Sequence, residues 1–196
     1  MPRLFAPDPG ILGIYSAGVR TGDIAAPLAA NSPLFSLRWT NTTRFFVLDQ
    51  LRVAVAVSGV ITTSVASSLE LVIARSFTAS DTGGTALTLT GDNNTFRTSF
   101  ATSLVGDARI ATTAALSAGT RTLDSQAFAG VPFATGTAIG VPLELTTLYD
   151  RLSLFPLVLD ADEGFIVRNG PAGPATGTFV VHVNLRWLET VEETIV

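Results

Sequence analysis

The C-terminal stretch from Thr178 to Glu189 alternates between two kinds of side chain, and this pattern constrains the fold more than any other feature of the sequence. Because successive side chains of a β-strand point to opposite faces, the alternation predicts a half-buried antiparallel strand. The expected inward set is Phe179, Val181, Val183, Leu185 and Trp187, and the expected outward set is Thr178, Val180, His182, Asn184 and Arg186.

Shorter β-like segments, separated by turn residues, fill most of the chain before this strand. Residues 44–60 are rich in β-branched and aromatic residues and apolar on both faces, which predicts a strand buried on both sides. Further strands are expected at residues 69–78, 85–90, 95–101, 107–115, 120–128, 143–149, 152–159 and 165–168, with a long loop over residues 130–142. No amphipathic helix of any length interrupts this series. We therefore predict an all-β fold, an antiparallel β-sandwich or jelly roll, in residues 44–196.

The first 43 residues lack a clear period, because prolines and glycines interrupt every candidate pattern. We therefore predict an irregular, extended N-terminal arm over residues 1–43. Its apolar residues are too many to be left in water, so the arm either folds back over its own core or docks on another subunit. The candidate interface residues are Leu4, Phe5, Ile11, Leu12, Ile14, Tyr15, Leu34, Phe35 and Trp39.

Charged residues make up only 14% of the 196 residues, well below the roughly 25% of a typical soluble domain. The hydrophobic content of 47% argues against a disordered chain, and no run approaches the ~20 apolar residues of a membrane span. The N-terminus lacks the uninterrupted apolar stretch of a signal peptide, and cysteine is absent. All twelve basic residues are arginines and sixteen residues are acidic, a net charge of −4 with no basic cluster that predicts nucleic-acid binding. Such a weakly charged surface favours coverage by other subunits.

Residues that could support catalysis are sparse. His182 is the only histidine, and we interpret it as a surface or interface residue, since one histidine cannot build the metal cluster of cupin-type enzymes. The run DADEG at residues 160–164 lacks the remaining ligands of an EF-hand loop, so we interpret it as an exposed turn. The sequence cannot place any two of Asp124, Glu144, Asp150, Asp160 and Glu163 across a cleft for glycoside hydrolysis. We predict no catalytic residue, no cofactor and no metal site.

Two stretches carry a resemblance to a known group of proteins. Residues 75–124 contain an FTAS turn, a GGTA hairpin and an RIATTAAL segment, and residues 163–189 run from EGF through an RN loop to a strand that ends in tryptophan and an acid. These stretches resemble virion accessory proteins of tailed bacteriophages, of the capsid decoration or cement type. The resemblance implies a β-sandwich that oligomerises, commonly as a trimer, on the shell of major capsid subunits. No catalytic motif comes with it, and the residues before Arg44 match no part of the pattern.

These observations favour a non-enzymatic structural protein that stabilises a phage head by bridging its subunits. The expected partners are the major capsid protein and further copies of the chain in a homotrimer, with no nucleic acid and no membrane. The expected location is the capsid surface of a virion that is assembled in the host bacterial cytoplasm. Two alternatives stay open: a tail or baseplate β-protein, and a receptor- or carbohydrate-binding sandwich, which would need a platform of surface aromatic residues.

Overall fold

The chain folds into two antiparallel β-sheets that pack face to face, as seen in a computed structural model that describes residues 11–90, 94–136, 145–151 and 156–191. The strands are β1 (Ile11–Arg20), β2 (Ile24–Ala25), β3 (Pro33–Trp39), β4 (Phe45–Gly59), β5 (Ala66–Phe77), β6 (Thr85–Ala86), β7 (Asp107–Ile110), β8 (Arg121–Leu123), β9 (Ala129–Ala134), β10 (Thr146–Asp150), β11 (Leu157–Leu159), β12 (Glu163–Asn169) and β13 (Thr178–Thr190). The predicted all-β antiparallel sandwich is therefore confirmed.

Each sheet is built around strands that are distant in the sequence. Sheet A has the order β1-β13-β4-β10, with β2 also paired to β13 and β11 to β4. Its longest pairing joins β13 and β4, from Thr178 opposite Gly59 to Thr190 opposite Phe45. Sheet B has the order β6-β7-β3-β12-β5-β8, with β9 also paired to β5. Among the described strands, β1 and β2 thus form one edge of sheet A, and β10 and β11 form the other.

The alternation predicted for the last strand is confirmed. The five inward residues of β13, from Phe179 to Trp187, are each at most 3% exposed, and the outward residues between them are half-buried. On β4, Leu51, Val53 and Val55 are buried in the same way against the second sheet. Burying side chains of this size stabilises the fold by roughly 1.5–3 kcal/mol each, so the two paired strands supply much of the core.

Aromatic rings connect the two sheets through the centre of the core. Trp187 of β13 stacks on Tyr15 of β1, with ring centroids 5.5 Å apart, and on Phe46 of β4, at 6.0 Å. Phe46 in turn contacts Phe165 of β12 at 6.3 Å, and Phe165 contacts Phe35 of β3 at 5.9 Å. Because such ring pairs add about 0.5–1.5 kcal/mol beyond area burial, this chain of contacts holds the sheets together.

The structure corrects the predicted arm. Residues 11–39 carry three strands: β1 is an edge of sheet A, and β3 lies inside sheet B between β7 and β12. The prediction was wrong because the strand breakers lie at tolerated positions. Pro33 is the first residue of β3, and Gly18 of β1 leaves room for the side chain of Asn184 on the neighbouring strand. The sandwich therefore includes residues from Ile11 onward rather than from 44, and residues 1–10 lie outside the described residues.

Three further predictions differ from the structure. Residues 130–142 were expected to form a loop, yet β9 begins at Ala129, and its Pro132 is tolerated in an edge strand. Residues 95–101 form turns instead of a strand. The strands expected at residues 85–90, 107–115 and 120–128 are shorter than predicted. Residues 143–144 and 152–155 of two other predicted strands lie outside the described residues.

Replacing Phe46 tests the aromatic core. The ring contacts Trp39, Phe165 and Trp187, so we expect Phe46→Ala to lower the free energy of unfolding by about 3–5 kcal/mol. Phe96→Ala is the matched control, because Phe96 is 56% exposed and its loss should change stability by only about 0.5 kcal/mol. Urea denaturation of the two variants measures both values, and equal losses would contradict the assignment of Phe46 to the core.

Deleting the N-terminal residues tests the corrected boundary. Removal of residues 2–39 eliminates β1, β2 and β3 and exposes the strands that they cover, so we expect an unfolded or aggregated product. Removal of residues 2–10 eliminates none of the described strands, and we expect the product to fold. Circular dichroism and size-exclusion chromatography distinguish the two results. A folded, soluble protein from the longer deletion would show that residues 11–39 are dispensable after all.

Candidate functional site

The only histidine lies opposite two side chains that offer no partner for acid–base catalysis. His182 is half-buried on the outward face of sheet A, opposite Arg20 of β1 on one side and Ala54 of β4 on the other. General acid–base catalysis needs a second reacting or orienting group within hydrogen-bond reach. Neither neighbour across the sheet supplies one.

The carboxylates considered for hydrolysis are engaged in separate contacts. Asp124 forms an ion pair with Arg75 at 3.1 Å, and Asp150 accepts a hydrogen bond from Gln50 at 3.3 Å. Glu144 lies outside the described residues. In the described part of the chain, no group of three or more acidic or histidine side chains is arranged to hold a metal ion.

The DADEG run forms a turn between β11 and β12, as predicted. Its carboxylates bind backbone groups of the turn itself. Glu163 Oε2 accepts the Asp160 N–H at 3.0 Å, and Asp160 Oδ1 accepts the Ala161 N–H at 2.6 Å. Asp162 adopts a positive φ of 60°, which aspartate tolerates better than most residues. These contacts define a local turn motif, and we call residues 160–163 the acidic turn.

The candidate interface residues of the predicted arm separate into three groups. Tyr15, Leu34, Phe35 and Trp39 are 0% exposed, so they are core residues and the interface prediction for these four was wrong. Leu12 and Ile14 are half-buried on β1, and the backbone of Ile11 pairs with Thr190. Leu4 and Phe5 lie outside the described residues. Of the two alternatives given for the N-terminal segment, its described residues match the one in which the segment packs on the core of its own chain.

Two of the six large apolar side chains that are exposed among the described residues lie at one edge of the sandwich, where β9 of sheet B approaches β10 of sheet A. Phe128 is 50% exposed and Leu145 is 49% exposed, and the ring of Phe128 lies 5.8 Å from that of Tyr149. Val131 and Phe133 of β9 are half-buried at the same edge. We call these five residues the edge strip. Apolar side chains exposed along one edge are typical of a protein contact.

A cleft of about 160 Å³ opens beside the edge strip, between the two sheets. Its walls come from Val53 and Val55 of β4, Leu69 of β5 and residues 131–134 of β9. Small-molecule sites usually occupy about 300–1,000 Å³, so this cleft suits one side chain of a protein partner better than a metabolite. Sequence analysis placed Phe128 at the end of a predicted strand and did not identify it as exposed. The signal it missed was the pair Gly130 and Pro132, which is typical of an exposed edge.

The opposite edge of sheet A is covered by the loop over residues 94–105. The backbone N–H of Phe96 donates to the carbonyl of Ile14 at 3.0 Å, and Thr95 forms a β-bridge with Tyr15. The Tyr15 hydroxyl donates to the carbonyl of Ala101 at 2.9 Å. The loop therefore pairs with part of the free edge of β1. Among the described residues, no loop pairs with the free edge of β10 in this way.

A buried carboxylate anchors this loop. Glu189 is 0% exposed, and its Oε1 accepts hydrogen bonds from Ser103 Oγ at 2.7 Å, Trp187 Nε1 at 3.1 Å and the Leu104 N–H at 3.0 Å. Burial raises the pKa of Glu189, and these hydrogen bonds oppose the rise only in part. Burial and then the charge of Glu189 also raise the pKa of Tyr15. These contacts are structural, because they join the loop to the end of β13.

The buried carboxylate makes stability depend on pH. Since the pKa of Glu189 is raised in the folded state, that state keeps a proton which the unfolded chain releases above about pH 4.3. The stability of the natural chain relative to Glu189→Gln should therefore fall as pH rises through this window and level off above the raised pKa. Urea denaturation from about pH 4.5 to about pH 8 measures the difference. Glu163→Gln controls for the loss of one acidic residue, and a difference that does not change with pH would contradict the proton linkage.

Comparison with known proteins identifies no relative of this chain. No protein-family model matches the sequence, and neither a curated protein nor a solved structure matches it significantly. The described residues form no helix that is long and apolar enough to cross a membrane. The candidate site is therefore the edge strip, identified from its own geometry.

Proposed function

We propose that the chain is a non-enzymatic structural protein of a tailed-bacteriophage virion, and that it acts as a capsid decoration or cement protein. The observation that supports this most directly is the edge strip, an apolar surface on the open side of a sandwich. Phe128 and Leu145 are already half-buried, so burying the rest of each against another protein stabilises the contact by about 1 kcal/mol, half the value for a fully exposed side chain. One such contact is weak, but many copies on a repeating shell bind with high avidity.

The ion pairs of the chain support contact with the capsid shell through apolar rather than charged groups. Six arginines are paired with acidic residues of the same chain: Arg38 with Asp107, Arg75 with Asp124, Arg121 with Asp81, Arg151 and Arg186 with Asp49, and Arg168 with Glu70. Charges that are neutralised within the subunit attract a partner only weakly. The proposed partners are the major capsid protein and other copies of the chain in a homotrimer, at the outer surface of the head.

The burial of the tryptophans disfavours the carbohydrate-binding alternative. A sugar-stacking platform uses exposed aromatic faces, usually of tryptophan or tyrosine. Trp39, Trp187 and Tyr15 are 0% exposed, and Tyr149 is half-buried. The exposed aromatic residues among the described positions are Phe96, beside β1 of sheet A, and Phe128, beside β5 of sheet B, so they do not form one platform. An apolar protein contact therefore accounts for Phe128 better than a glycan site does.

Shell binding tests the proposal. The full chain is mixed with shells assembled from the capsid protein of the same phage, the shells are sedimented, and the bound chain is measured. We expect the natural chain to sediment with the shells, and the double variant Phe128→Ser, Leu145→Ser to bind about tenfold more weakly or worse, because two apolar contacts are lost. Phe96→Ser is the matched control, since Phe96 is similarly exposed but lies beside β1, away from the edge strip. We expect this variant to bind the shells as the natural chain does.

Two outcomes would contradict the proposal. If the natural chain stays in solution at shell concentrations that saturate other head proteins, it is not a decoration protein. If it binds purified tails and not shells, the tail or baseplate alternative is correct. Equal binding by the double variant and the natural chain would retain a head role but exclude the edge strip as the contact.

A further inference from the structure

The outward face of sheet A brings together two arginines that are far apart in the sequence. Arg20 of β1 is opposite His182 of β13, and Arg52 of β4 is opposite Asn184 of the same strand. Both arginines are exposed, and both alternate with buried inward residues, so they share the outward face with His182 and Asn184. We call these four residues the arginine face.

Neither arginine has an acidic partner in the described part of the chain. Arg20 and Arg52 form no ion pair or hydrogen bond with any described residue, whereas six other arginines are paired as given above. Asp23, the nearest acid along the chain to Arg20, is exposed and is not within ion-pair distance of it. Most of the described arginines form ion pairs with acidic residues of the same chain. The two unpaired arginines on this face can therefore bind a carboxylate of another molecule.

Small side chains lie beside the two arginines. Gly18 of β1 and Ala54 and Ala56 of β4 occupy the same outward face, while His182 and Asn184 of β13 lie between the two arginines. The side chain of Asn184 lies over Gly18, where a methyl group would be only 2.5 Å from its Oδ1. A projecting turn of another protein can therefore approach this face at Ala54 and Ala56, next to the polar side chains of His182 and Asn184.

The same chain carries a projecting turn of opposite charge. The acidic turn places Asp160, Asp162 and Glu163 within four residues, and the Asp162 side chain is 59% exposed. Its nearest cation is Arg38, whose Nη1 lies 4.0 Å from Asp162 Oδ1 and which is also paired with Asp107. The turn thus retains negative charge that its own subunit does not neutralise.

The two charged surfaces cannot meet within one chain. Leu159, which precedes the acidic turn, is opposite Phe46 on β4, and Arg52 lies six residues further along the same strand. At ~3.3 Å per residue, this separation is about 20 Å, too far for the side chains to bridge along a rigid strand. Contact between the surfaces therefore requires two copies of the chain.

We propose that the arginine face of one copy binds the acidic turn of a second copy. The contact joins two different surfaces, so it is heterologous and repeats from copy to copy until it closes into a ring. Opposite charges fix the orientation and register of the two copies, while the small side chains of Ala54 and Ala56 leave room for the turn. The contact is independent of the proposed role on the capsid, because it needs only the chain itself.

Charge reversal of each surface, measured by sedimentation velocity on the purified full chain, tests this contact. We expect the natural chain to self-associate, and Arg20→Glu, Arg52→Glu to weaken the association by about tenfold or more. The triple variant Asp160→Lys, Asp162→Asn, Glu163→Lys changes the charge of the turn from −3 to +2 and should weaken the association similarly. Asparagine is chosen at position 162 because it tolerates the positive φ there. The chain that carries all five substitutions should regain association, since the charges of the two surfaces are exchanged. Arg97→Glu is the control, because Arg97 is exposed as Arg20 and Arg52 are, but lies in the loop over residues 94–105, off the arginine face.

Two further measurements, at raised salt and with duplex DNA, distinguish this contact from other modes of binding. Raising the ionic strength from about 0.05 M to about 0.5 M should dissociate the natural chain, because screening weakens exposed charge pairs. A natural chain that stays monomeric overturns the proposal, as does association that survives both charge reversals. Binding of duplex DNA by a monomeric chain, lost in Arg20→Glu, Arg52→Glu, would overturn it in favour of a nucleic-acid ligand. Shell binding that survives these substitutions separates this contact from the proposed capsid function.

Discussion

The aromatic contact of Phe46 with Trp187 and Phe165 decides how the rest of the molecule is arranged. Phe46 and Trp187 belong to the central strands of sheet A, and Phe165 belongs to an interior strand of sheet B, so the three rings fix how the two sheets face each other. Because side chains alternate along a strand, the residues between the inward-facing ones point to the outer face of each sheet. The edge strip and the arginine face are therefore consequences of the same packing.

Local patterning was enough to predict the fold class but not the fate of the N-terminal segment. The alternation of β13 is visible because its apolar residues recur at every second position without a break. The segment before Arg44 contains glycines and prolines that mimic an irregular arm, and its burial depends on strands far away in the sequence. Tyr15, for example, is buried against Trp187, more than 170 positions later. A sequence pattern describes the propensity of a segment, whereas its strand partner is set by long-range packing.

The same limit applies to the surfaces. Phe128 and Tyr149 belong to separate segments and meet only because β9 and β10 lie side by side at one edge of the sandwich. Arg20 and Arg52 form no cluster in the sequence, since β13, which lies between their strands, comes from the opposite end of the chain. Composition correctly showed few charges, but only the strand order shows that two of them share a face without an acidic partner.

The loop over residues 94–105 has a consequence for how sheets of neighbouring molecules could join. By donating the Phe96 N–H to Ile14, it covers one border of sheet A at Ile14 and Tyr15, while β10 at the other border pairs only with β4 among the described strands. A covered stretch of a sheet edge cannot accept an added strand, whereas an uncovered stretch can. Backbone pairing with a neighbouring molecule through sheet A is therefore favoured at β10 over the covered part of β1.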